Sequence, residues 1–143
     1  MRAHRIAFYL TSLFAAAACG TAPGAAGSAA GAPKPAAGPP PEVTPERIAA
    51  GKDLFNRGVC QTCHGSNGNG GQNGPPLSDD IWAQGDGSFS MIRSVIISGV
   101  SQADIHDPAF QRPMPQRGGP RMNLTDEQVL ALASYVYSIS HKM

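Results

Sequence analysis

An all-α fold of three to five short helices is what this sequence predicts, on three observations. Segments 44–56, 88–98 and 125–140 each open on a capping residue and repeat apolar positions at helical spacing. Cys60-Gln61-Thr62-Cys63-His64 spells C-x-x-C-H, the attachment pattern of a covalent c-type haem, so a large apolar cofactor would lie at the centre of the helices. A length of 143 residues argues for one domain, while 17 glycines and 13 prolines are too many for a single compact core, so part of the chain is linker.

Residues 1–18 read as an export signal: Arg2 and Arg5 precede the apolar run Ile6 to Ala18, which is shorter than the roughly 20 residues of a membrane-spanning helix. Small residues lead into Cys19. Leu13-Phe14-Ala15-Ala16-Ala17-Ala18-Cys19-Gly20 resembles a bacterial lipoprotein signal, departing from it by Ala16 where leucine is usual. Lipidation at Cys19 is the leading expectation and would anchor the chain to a membrane; simple cleavage after Ala18 is the alternative. Residues 19–41, nearly all Ala, Gly and Pro after the cysteine, have no periodic apolar face and read as a tether.

Residues 42–143 form the predicted domain. They hold eight Lys and Arg against ten Asp and Glu, which gives no sign of a nucleic-acid partner. Its first helix starts with Thr44 as cap and Pro45 in the first turn, and runs to about Asn56 before Gly58. Ile48, Gly51 and Phe55 share its inner face. A glycine in mid-helix costs about 1 kcal/mol relative to alanine, so Gly51 points to close approach by another backbone or ring.

In the C-x-x-C-H stretch, two thiols three positions apart reach the two vinyl groups of one porphyrin, and His64 turns its imidazole beneath the iron. A structural zinc site would need four ligands, and a thioredoxin-like pair would need strands and helices in another order; neither accompanies this motif. The run Asn67 to Gly74 is rich in glycine and free to pass near the haem edge, but without a following lysine it is no phosphate loop.

Ser88 caps a predicted helix to Ser98, with Ile92, Val95 and Ile96 inward and Gly99 as terminator; strand propensity competes at Val95-Ile96-Ile97. The C-terminal helix opens on a capping box, Thr125 with Gln128. Its apolar positions Val129, Leu132, Ala133, Val136 and Tyr137 are flanked by Leu130 and Tyr135, and they cover most of the circumference. It is expected to cross the first helix near Gly51, with Phe55 and Tyr135 in contact.

The upper ligand of the iron would come from Met91, Met114, Met122, His106 or His141. Met91 reads as core filler, His106 as a surface residue of a polar loop, and His141 as part of a frayed end. Met114 stands between Pro113 and Pro115, whose rings stiffen the backbone on both sides; it is the residue assigned, with Met122 as the alternative.

These pieces together resemble the class I cytochrome c family: Gly51-x-x-x-Phe55, Cys60 to Gly65, Gly74-Pro75-Pro76-Leu77, Met114-Pro115 with Gly118-Gly119, and Leu124 to Gln128 leading to Tyr135. The resemblance implies a small cytochrome c fold around one haem. It also implies that the Pro75 carbonyl accepts a hydrogen bond from His64, that Leu77 packs on the haem, and that Trp82 reaches a propionate or simply packs in the core. Residues 101–112 depart from small family members as a polar insertion, which either shields the haem edge or meets a partner.

The function expected is an exported electron carrier working between a redox donor and acceptor, with no small-molecule substrate and no catalysis of its own. It would sit in the periplasm or on the outer face of a bacterial membrane, anchored through Cys19. Arg112, Arg117 and Arg121, around the ligand loop, either steer a partner or serve as solvated or propionate-binding residues. Two alternatives are a cytochrome subunit of a dehydrogenase or terminal oxidase, and a five-coordinate haem sensor or peroxidase.

Overall fold

A computed structural model describes residues 38–143. The leader, Cys19 and all but the last residues of the tether lie outside them. The fold is all-α, as the capped periodic segments require: α1 (Pro45–Arg57), α2 (Cys60–His64), α3 (Phe89–Ser98) and α4 (Asp126–Ser140), with single 3-10 turns at Ser66–Gly68, Gln102–Asp104 and Gln116–Gly118. No helix of the described residues is long and apolar enough to cross a membrane.

Each long helix begins where its cap predicts. The Thr44 side chain accepts from the Arg47 amide, Ser88 from the Met91 amide, and Thr125 and Gln128 form the reciprocal capping box. Gly58 and Gly99 terminate α1 and α3, each donating its amide back to a carbonyl of the last turn.

The crossing of α1 and α4 is the packing centre. A Cβ at Gly51 would stand 2.0 Å from the Ala131 carbonyl oxygen and 2.8 Å from Cβ of Tyr135, so only glycine lets the two backbones meet here. One turn later Phe55, 1% exposed, meets the Tyr135 ring edge-on at 5.4 Å between centroids. Burial of α4 extends round the helix, from Val129, Leu132 and Val136 to Ala131, Ala133 and Tyr135. Its buried serines avoid an unmet hydroxyl by bonding to carbonyls: Ser134 reaches both Leu130 and Glu42, which fastens the start of the domain to the last helix.

Candidate functional site

The five-residue α2 follows α1 almost without a linker. Gly58 permits the turn, because a Cβ there would lie 2.6 Å from the Leu54 backbone carbonyl oxygen. On one helical turn the residues i, i+3 and i+4 share a face, so Cys60, Cys63 and His64 come together and line a single cavity. The short helix itself was not foreseen from the motif.

The chain after His64 folds back beneath the ring. Gly70 donates to the His64 carbonyl at 2.7 Å, Gly71 pairs with Gly74, and Leu77 donates to Gly68 at 2.7 Å, which brings Pro75 under the imidazole. His64 Nδ1 lies 2.9 Å from the Pro75 carbonyl. A carbonyl only accepts, so Nδ1 carries the proton and Nε2 keeps its lone pair for a metal. At Gly74 a Cβ would sit 3.0 Å from Cε1 and Nδ1 of the ring, so the glycine is what lets the loop lie flat against the imidazole. Burial holds the His64 imidazole below its usual range, opposed by the Pro75 hydrogen bond. Burial likewise pushes the Cys60 thiol up to about 11.

The cavity has a volume of about 290 Å³ and is open on one side. Ile92 and Ile96 of α3 and Leu132 and Val136 of α4 supply apolar walls, and Leu77 and Trp82 line it as well. Trp82 is held by Gly87, where a Cβ would fall 2.2 Å from the indole nitrogen. Met114 lines the same cavity from the segment that follows α3. That segment is clamped: the Val100 amide donates to the Met114 carbonyl at 2.9 Å and the Met114 amide to the Val100 carbonyl at 3.0 Å. Pro113 and Pro115 have no amide to offer, and the one amide between them is thus fully used.

The other ligand candidates separate clearly. Met122 does not line the cavity, and its sulfur accepts from the Val59 amide at 3.4 Å. His141 is stacked on Tyr137 at 3.8 Å, with Nδ1 3.0 Å from the Tyr137 carbonyl. Met91 lines the cavity from within α3, and exposed His106 stands at the rim. Of the three arginines, Arg117 is tied to the start of α4 through the Leu124 carbonyl at 2.9 Å and the Asp126 carboxylate at 2.7 Å, so it is not free to steer a partner. Arg112 and Arg121 remain exposed beside the cavity.

Sequence reasoning missed the contact of Gly99 with the Met114 segment and the walls formed by Ile105 and Phe110. The one signal for the last was an aromatic residue within a polar insertion.

A family model described as cytochrome c matches residues 48–140. The chain belongs to the cytochrome c family. Among curated proteins it is 32% identical over 95 residues to the Cbb3-type cytochrome c oxidase subunit CcoP of Helicobacter pylori (strain 52), covering 66% of this chain and 29% of that one. It is 35% identical over 100 residues to the Cbb3-type cytochrome c oxidase subunit FixP of Sinorhizobium medicae (strain WSM419), covering 70% and 32%. The chain therefore spans about a third of the length of these relatives. Among solved structures it resembles cytochrome CL from Methylophaga aminisulfidivorans, with a TM-score of 0.52 and 25% identity, covering 69% of this chain and 57% of that one.

Membership of this cytochrome family implies a covalently bound haem c, and the residues present fit it. Two thiols and an imidazole with a free Nε2 share one face of a helical turn, Gly74 leaves room beneath the ring, and a thioether lines the same apolar cavity.

Proposed function

We propose that the chain is an exported carrier of single electrons that holds one haem c. Cys60 and Cys63 would attach it through thioethers, and His64 and Met114 would hold its iron. The observation that carries this reading is the His64 imidazole, fixed by the Pro75 carbonyl at 2.9 Å within a cavity that both cysteines and Met114 line. The one C-x-x-C-H in this sequence supports one attached haem. When bound, the haem supplies a one-electron couple between ferric and ferrous iron.

The chain's own part is to orient and to exclude water. Pro75 fixes the His64 tautomer and raises its basicity. The Val100 clamp and the two flanking prolines hold the Met114 backbone, and methionine ligation raises the reduction potential. Ile92, Ile96, Leu132 and Val136 give the ring an apolar bed. The partners are a redox donor and an acceptor, and no small molecule is transformed. The leader and Cys19 support a place in the periplasm or on the outer face of a membrane, held by a lipid.

A second reading is favoured by the relatives that are oxidase subunits: the chain is then the cytochrome subunit of a larger oxidoreductase complex. Purification from native membranes separates the two, because a free monomer supports the shuttle and co-purification with a catalytic subunit supports the complex. Mass spectrometry of matured protein tests the core of both. One added haem, lost when Cys60→Ala is combined with Cys63→Ala, is expected; an unmodified chain would refute it. Fatty-acid labelling that Cys19→Ser abolishes tests the anchor.

A further inference from the structure

We propose that the groove between the 75–83 segment and the 106–110 loop, which adjoins the haem cavity, is the docking surface for a redox protein presenting an apolar spot ringed by lysine or arginine. The proposal rests on the electron-carrier reading and adds the polarity of the partner.

Three observations carry it. Pro76, Ile81, Trp82, Pro108 and Phe110 give the groove an apolar lining. The same residues except Pro108 also line the haem cavity, so a protein seated here would sit beside the cofactor's site. Just beyond the groove, the Gln84 side-chain amide donates to the Asp104 carbonyl at 3.0 Å, which ties together the segments that lead into its two walls.

Charge gives the partner's sign. Asp79 and Asp107 line the groove, and no lysine or arginine does. Between positions 79 and 107 the chain carries five aspartates, at 79, 80, 86, 104 and 107, against the single cation Arg93. The ion pairs among the described residues join Arg47 to Glu127, Arg57 to Asp53 and Arg117 to Asp126, and they leave all five of these aspartates unneutralised. Arg112 and Arg121 lie beside the haem cavity but not in the groove. An apolar centre within an acidic rim attracts a cationic surface at long range and then releases water from apolar contact.

Stopped-flow oxidation of the reduced holoprotein tests this with two probes, tris(phenanthroline)cobalt(III), an apolar cation, and hexacyanoferrate(III), a polar anion. In each reaction one electron leaves the protein, giving the oxidised protein and cobalt(II) or hexacyanoferrate(II). The cobalt rate is expected to fall as salt rises, and Asp79→Lys with Asp107→Lys is expected to lower it roughly tenfold at low salt while raising the anion rate. Ile81→Ser should lower the cobalt rate without changing its salt slope.

A lysine-rich peptide titrated into the holoprotein should shift amides confined to 76–83 and 106–110. Unchanged cobalt kinetics in the double variant, or amide shifts elsewhere, would overturn the docking proposal. Failure to exchange electrons with either probe would instead overturn the carrier reading. A concentration-dependent dimer dissolved by Asp79→Lys would assign the groove to a second copy of the chain and overturn the proposal too.

Discussion

Met114 shows how a single side chain is presented without a helix. Its own amide and carbonyl are both engaged by Val100, and the prolines on either side remove the backbone freedom that would let the sulfur wander. Met114→Ala is expected to abolish the red-edge sulfur-to-iron absorption band, lower the reduction potential and let the ferrous protein bind carbon monoxide; the same band surviving in Met114→Ala but lost in Met122→Ala would reverse the assignment. Gly99 supports the clamp from the end of α3. It has φ +69°, and a Cβ there would lie 2.3 Å from the Met114 carbonyl oxygen and 2.7 Å from the Gln116 amide. Gly99→Ala, in a backbone region nearly restricted to glycine that costs other residues about 1–3 kcal/mol, should displace the Met114 segment. The expected signature is a weakened sulfur-to-iron band with helix content by circular dichroism retained. The prolines beside Met114 can be read from the sequence, but the Val100 pairing joins residues on either side of a loop and no local pattern announces it.

The helices were legible because their determinants are local. Thr44, Ser88 and Thr125 are caps within three residues of the amides they accept from, and the crossing at Gly51 could be anticipated because a glycine in mid-helix needs a reason. Gly51→Ala tests that reason: a methyl directed at the Ala131 carbonyl forces α1 and α4 apart, with an expected loss of about 3 kcal/mol by denaturant unfolding of the holoprotein. The entry to α3 gives a pH prediction. Asp86 accepts from the Ser88 amide at 3.0 Å, and this bond, with help from the Ser88 hydroxyl, holds its carboxyl below the usual range. Since the folded value lies below the unfolded one of about 3.9, the bond's contribution to stability is present above that pH and is lost as pH falls through the folded value. A carboxyl-carbon NMR titration should place Asp86 below the usual aspartate range, and Ser88→Pro, which removes the amide donor, should bring it back up. By contrast α2 was not legible as a helix, because its five residues carry no side-chain cap and take their place from the turn at Gly58.

Across the whole molecule the elements are arranged less around each other than around the cavity between them. The α1 and α4 crossing is a well-filled contact, whereas α3, the 75–82 segment and the Met114 loop meet α4 across a space of about 290 Å³. Cys60, Cys63 and His64 stand out in the sequence because their motif spans five residues, while the Pro75 contact on His64 was an implication of the family resemblance. The outer wall from Ile105 to Phe110 could not be read there, since it depends on how a polar insertion folds back over the opening. That space is lined by apolar side chains and opens to solvent, so without a cofactor it leaves apolar surface facing water, which disfavours the packed fold. The haem is therefore structural as well as functional: protein made without haem attachment should keep part of its helical signal but lose near-ultraviolet dichroism and resolved side-chain resonances. Covalent attachment should restore both, and a cofactor-free chain with native-like dispersion and cooperative unfolding would show that the helices pack without it.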